Sequence, residues 1–327
     1  MTKLPLLAVP IVLTAMLPAF AADSPFAPDA KPAMLLKTGA GEGPAWHPTL
    51  GLLMSGDGNI NRYGLDGRLR VFRAGAGTNG LLFDRQGRLL MCQPKFRRFA
   101  RLSADGRKIE TLTRDYEGKR YNQPNDVAVD SKGRIYFSDP KYGPRTNMEI
   151  VDKKGKKVEG VYRIDPDGTV TRIITHEVDR PNGLLVYGKD DSLFVADNNN
   201  NTRGGPRKLW RFRLKYDGTI VERTRKLIYD WGAGRGPDGM AVDVKGNIYV
   251  AAGRTKPNKW ETADKKGGVY VFNGDGKFLA FVPIPNDEVT NCAFGGKDLK
   301  TLYITAGGSL WSIRTAAAGK VLWPKAE

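Results

Sequence analysis

The sequence predicts an all-β fold, a six-bladed β-propeller with four antiparallel strands per blade, on three observations. A short segment recurs six times, in which an oxygen-bearing side chain precedes a small residue or Asp and then an apolar strand. Between recurrences lie further strand-like segments separated by DG and ADG pairs, the turn signal of hairpins between alternating strands. The 327 residues carry 39 Gly and 20 Pro with 40% apolar residues, which is ample for a packed core and poor in helix signal.

The elements follow in chain order. Lys3 and the apolar residues 4–18 lead to Ala19-Phe20-Ala21, the pattern of a secretory signal with its small-residue cleavage site. The apolar run contains Pro5 and Pro10 and is short for a membrane span. No Cys follows it to carry a lipid anchor. Residues 1–21 are therefore expected to be a signal peptide, 22–32 an N-terminal linker and 33–327 the propeller domain, in a periplasmic or secreted protein with no membrane insertion.

The recurrences start at Glu42 (EGPAWHP), Asn79 (NGLLFD), Asn125 (NDVAVD), Asn182 (NGLLVY), Asp238 (DGMAVD) and Asn291 (NCAFGG), at spacings of 37, 46, 57, 56 and 53 residues. Each is followed by a second apolar strand, such as GRIYFSD or DSLFVAD, and a third, such as GVYRIDPDG or GVYVFNGDG. A fourth type, such as LRVFRAG or TRIITH, precedes the next recurrence. Four-stranded units of about this size, repeated around an axis, describe a propeller. The strand at residues 33–38 has no first three strands of its own, and the last unit, ending near Ile313, lacks a fourth. Pairing those two pieces closes the ring.

Antiparallel order then places the chemistry. The loops before strand one and between strands two and three share one face, so the six oxygen-bearing side chains ring one mouth of the axial channel. The longest insertions, residues 140–159, 198–208 and 253–267, wall the same mouth. They offer Tyr142, Arg145, Asn200, Arg203, Arg254 and Trp260 as substrate contacts. A ring of one Glu, one Asp and four Asn suits a hard divalent cation such as Ca²⁺ or Mg²⁺, whose charge also relieves repulsion between the two carboxylates. Asn and Asp before Gly are also common turn residues, and a purely structural cation plugging the channel is the competing reading.

Composition narrows the chemistry further. Two Cys exclude a disulfide scaffold and a zinc site built mainly on thiolates, and two His leave little room for His-rich metal sites or His relay chemistry. The 52 Lys and Arg against 35 Asp and Glu give a formal charge of +17, which favours anionic partners. Yet the basic residues are scattered, with short clusters such as Lys153-Lys154 and Lys156-Lys157, and no nucleic-acid motif accompanies them. A solvated basic surface is expected. His47 is expected to be structural and His176 to lie at the surface. Cys92 and Cys292 sit in different blades and are expected to remain thiols, and Trp46, Trp210, Trp231 and Trp311 to pack between blades.

The ordered set EGPAW, PND followed by YFSDPKYG, RPNG followed by LFVAD, and GPDGMAVD resembles the gluconolactonase, regucalcin and senescence-marker-protein family from about residue 35 to 313. The resemblance implies a six-bladed propeller lactonase with one divalent cation at the channel mouth, Ca²⁺ foremost, with Mg²⁺, Mn²⁺ or Zn²⁺ as alternatives. It makes Glu42, Asn182 and Asp238 metal ligands and Asn125 a further ligand or substrate contact. Asp238 is in addition the general base. Asn79 and Asn291 fall with Tyr142 and Arg145 among the substrate contacts. Two positions depart from the pattern. Gln123 stands where vertebrate members have Arg, and Asn79-Gly80 where paraoxonase-like propellers have His-Gly. The implied activity is metal-dependent hydrolysis of a sugar lactone such as glucono-1,5-lactone to the aldonic acid. The alternatives are a lactonase or esterase on a non-sugar substrate and a non-enzymatic, cation-stabilised binding propeller.

Overall fold

The computed structural model describes residues 24–324. The expected signal peptide, residues 1–21, lies outside the described residues.

Six four-stranded antiparallel sheets follow one another around an axis. Their innermost strands are Glu42–His47, Leu81–Phe83, Val127–Val129, Pro181–Tyr187, Pro237–Val242 and Val289–Gly295, in blades 1 to 6. In blades 1 to 5 the next three strands in sequence complete the sheet, hydrogen-bonded in chain order from axis to rim. Blade 6 instead takes its outermost strand from the other end of the chain. Ala33–Ala40 pairs antiparallel with Gly308–Arg314, Ala33 opposite Ser312 and Ala40 opposite Gly308. The ring is thus closed by its own N-terminal strand.

Each sheet is covered on both faces by its neighbours. The second strands Leu89–Gln93, Ile135–Asp139 and Ile248–Ala252 are therefore buried at every position, and read as unbroken apolar runs rather than alternating ones. The core is divided among the six seams. Leu90, Cys92 and Phe99 of blade 2 meet Phe137 and Tyr162 of blade 3. Leu52 and Met54 of blade 1 meet Tyr303 and Leu310 of blade 6. Trp46 stacks on Tyr303 across that second seam at 5.7 Å, and Trp231 meets Tyr270 edge-on at 5.5 Å. Trp210 and Trp311 spend their indole N–H within their own blades, on Asp197 and Ser309. Cys92 and Cys292 are buried, free and in separate seams. His47 accepts at Nδ1 from Thr49 and packs on Phe83, and His176 pairs at 2.9 Å with Asp152.

The stretch expected as a linker is part of the body from Pro25 on. Phe26 is 1% exposed and edge-on to Tyr249, whose hydroxyl donates to the Pro25 carbonyl. At the other end, residues 319–323 cross the bottom of the ring. Lys320 N donates to Val242 O at 2.8 Å, and Trp323 lies against His47 and Gly87.

Candidate active site

The mouth opposite that C-terminal crossing collects the six recurrent residues. In blades 1, 4, 5 and 6 the pairing of the innermost strand shifts register where Glu42, Asn182, Asp238 and Asn291 stand. A bulge inserts a residue and re-aims its side chain, here toward the axis. The glycines that follow are explained by crowding rather than by turns. A Cβ on Gly183 would sit 2.0 Å from the Asp238 carbonyl oxygen, and one on Gly80 2.5 Å from that of Asn125. Only a bare backbone allows adjacent blades to approach this closely, and Gly80 N uses the approach to donate to Asn125 O at 2.7 Å.

The result is a cavity of about 300 Å³ lined by Glu42, Asn79, Asn125, Asn182 and Asp238 at its floor, with Tyr142, Asn200, Asn201, Asn258, Trp260, Glu261, Glu288 and Arg235 on its walls. Asn291 is not in the lining. Its amide nitrogen donates to Glu42 Oε2 at 3.3 Å from behind, a positioning contact. Arg145 does not reach the cavity. Its guanidinium is held outside by Glu159 at 2.5 Å and Asp179 at 2.6 Å, two acids that outcompete an open mouth for its charge. Arg203 is exposed, and Arg254 is buried in an ion pair with Glu261. Tyr142 lies as expected on the wall, its hydroxyl accepting from Asn182 Nδ2 at 2.8 Å. Gln123 takes the Tyr142 N–H on its side-chain oxygen at 2.7 Å, so it holds the wall loop.

Four charged groups were not singled out by the sequence. Asp126 follows Asn125 in a slot that four other blades fill with Gly, and its Oδ2 accepts from Leu184 N. Arg235 donates to Asp238 Oδ2 at 2.8 Å and faces Glu261 and Glu288 at 3.9 and 3.7 Å. Only Asp126 carried a signal, as a carboxylate inside the recurrence. Arg235, Glu261 and Glu288 stand in loops whose residues resemble any polar linker.

Electrostatics mark the floor as strained for charge. Burial, then the carboxylates of Asp238 and Asp126, push the Glu42 carboxyl well above its ordinary range. Burial lifts Asp126 to about 7. It also lifts Asp238, but the Arg235 guanidinium restrains it to about 6. Burial opposes charge on Arg235 too, yet Asp238, Glu288 and Glu261 together hold it protonated. Buried side-chain oxygens without partners are rare in native folds, and Asp238 Oδ1 and Asn125 Oδ1 are both such atoms. Among the described residues no three His, Cys, Asp or Glu side chains gather closely enough to hold a metal ion alone. A cation site here requires the Asn oxygens. The donor set, two carboxylates plus amide oxygens with two of those oxygens unpaired, fits a hard cation.

Comparison with known proteins gives a consistent family. Residues 40–308 match the family model described as SMP-30/Gluconolactonase/LRE-like region. A gluconolactonase of Zymomonas mobilis is 32% identical over 249 residues, 74% of this chain; the chain spans 64% of that relative's length. The pentonolactonase XacC of Haloferax volcanii is 29% identical over 274 residues, covering 82% of this chain and 81% of the relative. Among solved structures, a gluconolactonase from Xanthomonas campestris superposes with a TM-score of 0.72 at 29% identity, covering 91% of this chain and 97% of the other.

Proposed function

Because the chain belongs to the SMP-30/gluconolactonase/LRE-like family, we propose that it hydrolyses a lactone, most simply a sugar lactone such as glucono-1,5-lactone, to the open-chain acid. The observation that carries this reading is the pair of unpartnered oxygens, Asp238 Oδ1 and Asn125 Oδ1, on the floor of a polar cavity. Glu42, Asn182, Asp238 and Asn125 would hold one divalent cation, Ca²⁺ foremost. When bound, such an ion polarises a carbonyl and offsets negative charge that develops on its oxygen.

The chain's own residues supply the rest. Arg235 occupies Asp238 Oδ2, which leaves Oδ1 to accept a proton from an attacking water and return it to the leaving ring oxygen. Asn291 and Gly43 N hold Glu42 from behind, which fixes its oxygens toward the axis. Asn200, Asn201 and Asn258 line the same space, Asn258 being held by Glu261 and the Trp260 N–H and Asn201 by Gly143 N and Arg180. Apart from the rings of Tyr142 and Trp260 every lining residue is polar, so the wall favours a polyhydroxylated substrate over a greasy one.

The same reading treats residues 1–21 as an export signal and the protein as periplasmic or secreted, which N-terminal sequencing of the processed chain would test. Activity is tested by proton release at constant pH from glucono-1,5-lactone, on protein treated with chelator and then resupplied with Ca²⁺, Mg²⁺, Mn²⁺ or Zn²⁺. Turnover above the spontaneous rate that requires both metal and Asp238 is expected. Turnover indifferent to both would overturn the site.

A further inference from the structure

The axial channel has a second, chemically opposite end. Below the oxygen ring its walls are Ala45, Leu82, Val129, Leu185, Val186 and Ala293, drawn from five blades, and several of these remain half-buried rather than sealed. The cavity they form is about 490 Å³, within the ~300–1,000 Å³ of small-molecule sites, which are mostly apolar with a few placed polar groups. It is only partly roofed. Residues 319–323 run across the mouth from Leu299 and Val242 to His47 and Gly87, so Val321, Leu322 and Trp323 line one side. The side toward blades 2 to 4 is rimmed by turns that carry Arg85, Ser131, Lys189 and Asp190.

The charge at that rim is net positive, three cations against the one carboxylate, Asp190, that has no cationic partner among the described residues. Arg85, Lys189 and Lys320 are exposed, and none of them takes part in an ion pair among those found in the described residues. Of the two acids in the lining, Asp130 is spent on Arg134 at 2.5 Å, and Asp190 accepts from the backbone and hydroxyl of Ser131. An apolar chamber with unpaired cations at its lip is complementary to a chain-like ligand with an anionic head.

We propose that the lower end of the channel, between blades 2 to 4 and the C-terminal crossing at Val321–Trp323, binds a single-chain anionic amphiphile of the medium-chain carboxylate class, with its tail in the channel and its head at Arg85, Lys189 and Lys320. The site is independent of the oxygen ring at the other mouth and of the reaction proposed there.

Isothermal titration of the purified protein with decanoate tests this, with octanoate, decyltrimethylammonium and decan-1-ol as comparators. One saturable decanoate site is expected. Octanoate, two buried methylenes shorter, should bind about tenfold more weakly. The Arg85→Glu, Lys189→Glu double variant should weaken decanoate about tenfold, as two partly screened charge contacts would. Val186→Phe, which fills the chamber, should abolish binding while leaving lactone turnover unchanged. If Val186→Phe does not fold, the charge-reversed variant and the comparators still decide. The proposal is overturned if decanoate does not saturate, if the ammonium or the alcohol binds as tightly as decanoate, or if neither chain length nor charge reversal changes its affinity.

Discussion

Asp238 answers to two demands, a charge it must carry and a burial that resists the charge, and Arg235 reconciles them at 2.8 Å. Replacing Asp238 by Asn keeps the shape and an oxygen but removes the proton acceptor. Lactone turnover is expected to fall by ~10²–10⁴-fold, read by proton release at saturating metal. Removing its partner is a different experiment. Arg235→Met leaves Asp238 without its cation, while Arg254 still pairs with Glu261 and Glu288, and truncating one member of a buried pair costs ~3–5 kcal/mol. Urea unfolding should show that loss, with Arg235→Lys recovering part of it. Glu42, Asn125, Asn182 and Asp238 were legible in the sequence because each opens a recurrence. Arg235 was not, because its role depends on a loop placing it three residues ahead of Asp238, and no periodicity marks loop residues. Arg145 was misplaced for the same reason: its partners are Glu159, fourteen residues on in its own loop, and Asp179 in the next one.

Strands and their turns were readable as elements, since alternation and DG pairs are local signals. The bulges that turn the four axial side chains inward were not, because a register shift is a relation between two strands. A second non-local device ties the loops before the innermost strands. Asp139, at the end of the second strand of blade 3, accepts from Asn122 N and Gln123 N, each at 2.8 Å. Asp197 sits equivalently in blade 4, within 3.3 and 3.5 Å of Asp179 N and Arg180 N. Burial outweighs those amide bonds and raises Asp139 to about 7 and Asp197 to about 6. For a carboxyl whose folded value lies above its unfolded one, the folded chain binds the proton more tightly. Its contribution is full below about pH 4 and fades as pH rises through about 7. The stability advantage of the wild type over Asp139→Asn should therefore narrow between pH 5 and pH 8. Thermal midpoints of both proteins at the two values check the sign.

At the scale of the molecule, net charge proved a poor guide to the site. The chain carries +17 overall, yet the cavity gathers Glu42, Asp238, Glu261 and Glu288 against Arg235, so the cation surplus belongs to the outer surface. That local deficit makes the oxygen ring a lever on stability. A divalent cation that binds only the folded chain stabilises it by about 2.7 kcal/mol at a hundredfold excess over its Kd. The thermal midpoint should rise with added Ca²⁺, and Glu42→Gln should abolish most of the rise. Closure of the ring, read from an orphan strand at each end, has a further consequence. Blade 6 cannot be completed until Gly308–Arg314 exists to receive Ala33–Ala40, although the first of these partners is made last and the second among the first. Five blades can assemble as the chain lengthens, but the sixth waits for both ends to meet. A nascent chain of this protein stays an open arc, with its first strand unpaired, until Gly308–Arg314 has been made.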